Sequence, residues 1–424
     1  MNNDEDSMKT IDYDSDEIEN KFRYENNTTF DNGVKLNLGI NAEYANYFNS
    51  SFVRNFANGE PLTLDYRSNL DVFKYGVFGQ ISNDFLKDRL SLSFGFRLDG
   101  NDYSETMNNP LDQFSPRFSA SYLMVQDLYL NFNTGRYFQL PPYTTLGFQN
   151  SAGELVNREN GLEYIRSDHF VSGIEWRPTD QSRLTVEGFL KLYNNYPFSV
   201  RDSISISSKG ADYGTFGDEE VKSIAEGRAY GFEVLYRNKD LFGGNLIVSY
   251  TYVRSQAEAF KTKALTGNNW VPASWDNRHL LNILGIKEFK NNWRLGFKWR
   301  FVGGAPYTPF DREQSSLVQA WNVRQIGILD YSRFNQLRLE EFHQLDVRVD
   351  KEIYLDKLTL NFYVDIQNLY NFKADQEKVL TIDESVSPQP VNPTAPPELQ
   401  KYQLKSIDLS GGTVLPTIGI IIEF

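Results

Sequence analysis

The segment LTLNFYVDIQNLY, residues 358–370, alternates apolar and polar side chains almost without interruption. Leu358, Leu360, Phe362, Val364 and Ile366 fall on one side of an extended chain. Thr359, Asn361, Tyr363, Asp365 and Gln367 fall on the other, because successive strand side chains point to opposite faces. A helix would scatter both sets around its axis. Such a strand has two homes: a soluble sandwich, where the apolar face packs on a second sheet, or a membrane barrel, where it meets lipid and the polar face lines a wet interior.

The same period recurs along the chain, and helical periodicity is scarce. In LSLSFGFRLD, Leu90, Leu92, Phe94, Phe96 and Leu98 oppose Ser91, Ser93, Gly95, Arg97 and Asp99. In NWRLGFKWRF, Trp293, Leu295, Phe297, Trp299 and Phe301 oppose Arg294, Gly296, Lys298 and Arg300. The pattern predicts fifteen strands, the first over 17–30 and the last over 413–424. Many run to 11–14 residues, against about 5–6 in soluble sheets, and roughly 10 tilted residues cross a bilayer's hydrocarbon.

Connection length sorts by parity. DNG at 31–33, NDFLKDR at 83–89, VQD at 125–127, PTDQS at 178–182, NKDLFGG at 238–244 and EFKNN at 288–292 are short. Between them come long segments near 49–67, 103–112, 139–165, 197–226, 257–276, 303–341 and 372–412. Short turns on one rim and long loops on the other characterise an outer-membrane barrel, and a sandwich has no reason for them. The expected architecture is therefore all-β, a transmembrane antiparallel β-barrel. Its polar face explains Arg97, Lys191, Glu233, Arg294, Lys298, Asp346, Arg348 and Asp365 within strands, which an apolar core rejects. Tyr137, Trp176, Tyr193, Tyr196, Trp275 and Trp293, near strand ends, are expected to form interfacial girdles.

Composition removes other classes. The 424 residues include no cysteine, so thiol chemistry and Cys-based metal sites are absent, and the three histidines, 169, 279 and 343, share no ligand spacing. No metal site, cofactor or catalytic residue is expected. A formal charge of −13 argues against nucleic acid as a partner. No run of about 18 apolar residues is present to form a membrane-spanning helix. The first residues, MNNDEDSMKTIDYDSDE, are acidic where a secretory signal is basic and then apolar; the expectation is a chain whose beginning lies elsewhere, with 1–16 the remnant of an acidic extracellular loop and 17–424 the barrel.

Several blocks resemble the carboxy-terminal barrel of TonB-dependent outer-membrane receptors of Gram-negative bacteria. They are FSPRFSASYLMVQDLYLNFNTGRYFQLPPY (114–143), WDNRHLLNILG (275–285), WRLGFKWRFVGGAPYTPFD (293–311), LDVRVDK (345–351) with LNFYVDIQNLYNF (360–372), and the terminal LPTIGIIIEF (415–424). The resemblance implies a 22-stranded barrel around a plug, located in the outer membrane and surrounded by its lipid. It implies active uptake of a scarce nutrient such as a siderophore, cobalamin, a glycan or a peptide, with the TonB complex engaged through the plug. The segment corresponds to the last fifteen strands, without plug, TonB box or signal peptide. The alternatives are a complete passive porin-like channel and a secreted all-β carbohydrate-active protein with paired carboxylates.

Ligand candidates are the loop aromatics Trp270, Tyr307, Phe310 and Trp321, able to stack on a solute, against the plainer reading that they pack the loops. The acidic groups Asp218, Glu219 and Glu220, and Asp383 with Glu384, are candidates for calcium or a cationic substrate, against solvated loop charge.

Overall fold

A computed structural model describes residues 11–57, 60–150, 152–209, 219–258, 270–386 and 389–424. One antiparallel sheet dominates it. Its continuous path runs β1 (Ile11–Thr29), β2 (Lys35–Ala57), β3 (Glu60–Phe85), β4 (Leu90–Asn101), β5 (Ser115–Val125), β6 (Leu128–Gln139), β7 (Ile165–Thr179) and β8 (Ser182–Ser199). It continues through β9 (Val221–Leu241), β10 (Gly244–Glu258), β11 (His279–Phe289), β12 (Trp293–Val302), β13 (Phe342–Tyr354), β14 (Thr359–Gln367) and β15 (Leu415–Glu423). Every strand pairs with its predecessor and successor in the chain, and a short strand, Trp270–Pro272, lies beside the end of β10. Among the described residues β1 pairs only with β2 and β15 only with β14, so the path ends in two open edges.

Four of the short turns are closed by residues that tolerate a left-handed backbone. Gly33 has φ 85°, Asp127 62°, Gly243 73°, and Asn291 and Asn292 61° and 58°. Asn, Asp and Gly adopt that region with little strain, which lets the strands reverse tightly. The opposite rim carries short helices instead: α1 (Glu105–Asn108), α2 (Tyr143–Leu146), α3 (Val156–Glu159), α4 (Arg312–Ser316) and α5 (Val318–Arg324).

The register sorts the alternation into two faces. Leu360 lies opposite Ile422, Phe362 opposite Ile420 and Val364 opposite Ile418, while Asn361, Tyr363 and Asp365 share the other face with Glu352, Asp350 and Arg348. Phe94 likewise pairs with Ile81 and Phe118, and Ser93 with Ser82 and Ser119. The apolar face has no second layer over it. Ile418 is 80% exposed, Phe94 52% and Ile40 50%, in a belt continued by Phe132, Phe170, Phe232 and Phe297. Soluble monomers rarely expose apolar patches beyond a few hundred Å². Lipid is the solvent that fits this belt, and the charged strand residues named above lie on the opposite, lumenal side.

Two expectations need correction. The segment near 49–67 is not a loop: β2 and β3 run on as paired strands of 23 and 26 residues, with Asn49 opposite Ser68 and Ser51 opposite Tyr66. Here the buried inner positions are polar, Tyr66 and Ser68 bonding the Gly147 carbonyl of the loop above, so the alternation that marks a strand fades while the backbone ladder continues. The girdle set also divides. Trp176 and Trp293 are on the outer face near the short-turn rim, but Tyr137, Tyr193, Tyr196 and Trp275 line a cavity on the inner side. Of the acidic segment 1–16, residues 1–10 lie outside the described ones, and 11–16 form the first part of β1.

Leu360 and Asn361 are neighbours at one depth and differ in face alone. Leu360→Arg is expected to destabilise the barrel by roughly 2–4 kcal/mol near the bilayer midplane and to reduce heat-modifiable folded protein in the outer membrane. Asn361→Arg is expected to leave assembly near normal. Gel-shift assays on the complete receptor carrying each substitution measure both.

Candidate functional site: the lumenal wall and the loop mouth

The lumenal wall is a field of paired charges. Arg97 Nε donates to Asp99 Oδ2 at 2.6 Å, and Arg97 Nη2 reaches Asn41 Oδ1 at 3.0 Å. Arg348 bonds Asp350 at 2.7 Å, Asn361 donates to the same carboxylate at 3.1 Å, and Arg294 bonds Glu352 at 2.9 Å. The Arg348 guanidinium also rests 4.0 Å from the Tyr363 ring centroid. That ring lies over Gly419 of β15, where a Cβ would collide with it. Glu175, nearly buried, holds Arg177 and Arg183 at 2.5 and 2.6 Å. Most of these pairs sit two residues apart on one strand or on adjacent strands, so they cost little ordering entropy and leave the wall wettable with few uncompensated charges.

At the long-loop rim the chain builds local cores. Tyr103 and Met107 from the 102–114 loop pack with Tyr143, Leu146, Leu162 and Tyr164 onto wall residues Ala45, Tyr47, Leu70 and Val72. The extended β2–β3 hairpin is thus the floor on which two loops rest. Hydrogen bonds fix them: Tyr103 Oη to the Leu146 carbonyl at 2.7 Å, Asn157 Nδ2 to the Thr145 carbonyl at 2.7 Å, and the Val221 amide to Asn157 Oδ1 at 2.8 Å. Burial pushes the Tyr164 hydroxyl up to about 12, and the Tyr103 hydroxyl upward as well, so both remain neutral across the physiological range, Tyr103 donating to the Leu146 carbonyl and Tyr164 accepting from Asn101 Nδ2.

Three of the acidic candidates are engaged by neighbours. Glu219 bonds Lys209 and lies 3.4 Å from Arg201, Glu220 accepts from Asn160 at 3.0 Å, and Asp383 accepts from Ser385 at 2.7 Å. The Ser385 hydrogen bond holds the Asp383 carboxyl below its ordinary range. Asp218 lies outside the described residues. Among the described residues no cluster of three His, Asp or Glu side chains is placed to hold a metal.

Of the loop aromatics, Trp321 is buried with Leu380 and Leu404, and Phe310 packs against that cluster. Tyr307 lies in a two-residue strand paired with Leu337–Arg338, and Trp270 carries the Arg228 guanidinium 4.4 Å from its ring centroid. Phe310 and Trp321 therefore meet inside one loop core, while Trp270 and Tyr307 stand apart from it.

One residue not singled out from the sequence organises this rim. Asp276 is fully buried; its Oδ1 accepts the Ser255 amide at 2.6 Å, and its Oδ2 takes Arg338 Nη2 at 2.5 Å with Arg254 Nε at 3.5 Å and Arg278 Nε at 3.9 Å. Arg338 also donates to the carbonyls of Asp276 and Gly304. One carboxylate thereby joins the end of β10, the segment entering β11 and the 303–341 loop. The only sequence signal was a DNR triplet ahead of an apolar strand, inside the block WDNRHLLNILG.

The chain is thus an open-edged antiparallel sheet with a lipid-fitting outer face, a charged inner face and one long-loop rim. Residues 2–369 match the family of TonB dependent receptor-like β-barrels. The chain belongs to that family. This receptor barrel is an outer-membrane protein, in a family of receptors and transporters. Nothing among the curated proteins matches it. Solved structures similar to the receptor barrel include the outer membrane transporter YddB from Escherichia coli, at 12% identity and TM-score 0.58, covering 97% of this chain and 55% of that one. The ferripyoverdine receptor of the outer membrane of Pseudomonas aeruginosa matches at 13% identity and TM-score 0.59, over 97% of this chain and 49% of that one. The copper transporter OprC matches at 13% identity and TM-score 0.59, over 97% and 58%. The chain spans about half the length of the solved receptors it matches.

Removing the Asp276 carboxylate leaves three arginines converging without a counter-charge. Asp276→Ala is expected to destabilise the loop mouth by about 3–5 kcal/mol. Limited proteolysis of the detergent-solubilised receptor checks this: new cleavage is expected within 270–278 and 303–341, with the strand core still protected.

Proposed function

We propose that this chain is the wall of an energy-coupled importer: the last fifteen strands of a barrel of about 22 strands around a plug, taking up a scarce nutrient with energy passed through TonB. The observation that carries the reading is the pair of unpaired edges on β1 and β15. In hydrocarbon a row of unsatisfied backbone N–H and C=O groups is prohibitive, so a membrane sheet of this kind requires further strands to close it. The span of about half the matched receptors supports that division, with 17–424 as wall and 1–16 at its outward end, where residues 11–16 prolong β1 beside β2. That one matched protein is a ferripyoverdine receptor and another a copper transporter supports import as the role. Within the whole receptor the lumenal charges face the plug and the passing solute, and of the loop aromatics Trp270 and Tyr307, which stand outside the Trp321 core, are the ones assigned to ligand contact in this reading. The wall carries no chemistry of bond making or breaking in this reading; its work is binding, orientation and passage.

The test is uptake. The complete receptor is expected to concentrate its nutrient in a manner abolished by a protonophore, whereas residues 1–424 exported alone behind a signal peptide are expected to give at most a passive leak. Uptake by 1–424 alone that collapses with the proton gradient contradicts the proposal.

A further inference from the structure

Among the described residues, hollows along the inner wall differ in the charge of their lining. Three hollows along it are lined by ions: one of about 460 Å³ by Arg23, Glu25, Arg97 and Arg117, another of about 460 Å³ by Lys35, Asp84, Glu175 and Arg183, and one of about 360 Å³ by Glu17, Glu19 and Lys74. A fourth, of about 570 Å³, has no Asp, Glu, Lys or Arg in its lining. It lies at the loop end of β6 to β10, where Tyr137, His169, Tyr193, Tyr196 and Trp275 supply rings and Gln139, Ser167, Ser207, Ser255 and Gln256 supply amides and hydroxyls. Its size falls in the range of small-molecule sites, roughly 300–1,000 Å³.

The polar groups of this cavity divide into fixed and free. His169 Nε2 and Ser167 Oγ are 2.7 Å apart, Trp275 Nε1 donates to Ser255 Oγ at 3.1 Å, and Gln256 Oε1 accepts from Arg228 at 2.9 Å. These bonds hold the Trp275 and His169 rings in place, and the Tyr137 and His169 rings lie with centroids 4.5 Å apart. By contrast, the Tyr137 and Tyr196 hydroxyls and the Gln139 amide have no hydrogen-bond partner among the described residues. Trp275 is 49% exposed although it is one of the largest apolar side chains at the rim. Fixed ring faces beside uncommitted donors and acceptors suit a solute with apolar ring faces and hydroxyl edges. A ferric carboxylate or another multiply charged chelate finds no counter-charge in this lining, and binds better at the arginine-rich hollows below.

We propose that this cavity is a binding site for an uncharged, polyhydroxylated ring solute, a neutral saccharide, at the outer mouth of the barrel. The assignment rests on the importer reading for its purpose, since a site at the loop end of the lumen is the first part of the wall that an incoming solute meets.

The experiment titrates the complete receptor in detergent, followed by tryptophan fluorescence and calorimetry, with maltohexaose, cellohexaose, xylohexaose and chitohexaose, and with ferric citrate as the anionic probe. Saturable binding of at least one neutral oligosaccharide is expected, weakened roughly tenfold by Trp275→Ala and about three- to tenfold by Tyr196→Phe. Tyr196→Phe removes one oxygen and keeps the ring, so it reports on the site even where Trp275→Ala impairs folding. Saccharide binding that neither substitution alters, binding of ferric citrate alone, or no binding of any hexasaccharide overturns the proposal. The outcome is separable from the importer reading: proton-gradient-dependent uptake of a ferric chelate with no saccharide bound removes the saccharide site and leaves the importer. Saccharide binding without energised uptake does the reverse.

Discussion

Backbone hydrogen bonding without water is the constraint on which this structure depends. In hydrocarbon every N–H and C=O must find a partner within the protein, which leaves the helix and the closed sheet as spanning forms. This chain has no helix long and apolar enough to cross a membrane among its described residues, and it has a sheet in which each strand bonds its chain neighbours along nearly its whole length. The side chains then follow from the pleat. Because period two is fixed by the backbone, lipid outside and water inside translate directly into the alternation of Leu90 to Asp99 or of Leu358 to Gln367. A shift of one residue would exchange Phe94 for Ser93 against the lipid, so the register is strongly determined.

Function inherits this geometry. The lumenal face may hold charge only because it is wet and because the charges are arranged in pairs, as in Arg348 with Asp350 and Arg294 with Glu352. The loop rim is freed from the alternation rule, so it spends its residues on local cores and on the Asp276 junction. These cores give the mouth a defined shape: α5 contacts β2, and the 102–114 and 139–164 segments pack onto the β2–β3 hairpin. A mouth of defined shape permits a cavity such as the one between Tyr196 and Trp275 to be preformed.

Legibility in the sequence tracks the environment. Where lipid and water lie on opposite faces, the fifteen strands and their order were readable, because each residue reports its side. The same reading failed for the upper halves of β2 and β3, where Asn49, Ser51, Tyr66 and Ser68 pair in a ladder and are polar residues buried on the inner face, Tyr66 and Ser68 bonding the Gly147 carbonyl of the loop above. It failed again for Tyr137 and Tyr193. An aromatic ring near a strand end suits either the membrane interface or a ring-lined cavity, and only its parity in the actual register decides. Asp276 was invisible for a different reason. Its partners Arg254, Arg278 and Arg338 come together through the loops, and no spacing in the chain announces it. The loop aromatics were marked as a set, and the structure divided them by burial, with Trp321 inside a loop core and Trp270 and Tyr307 apart from it.

The central claim is that one face of this sheet touches hydrocarbon and the other touches water. Spin labels placed one at a time on residues 90–98 of the complete receptor in lipid bilayers, with collision rates measured for oxygen and for a water-soluble relaxing agent, test it most directly. The account predicts a period of two, with oxygen dominant at 92, 94 and 96 and the aqueous agent dominant at 91, 93 and 95. The opposite phase, or equal rates at adjacent positions, would contradict it.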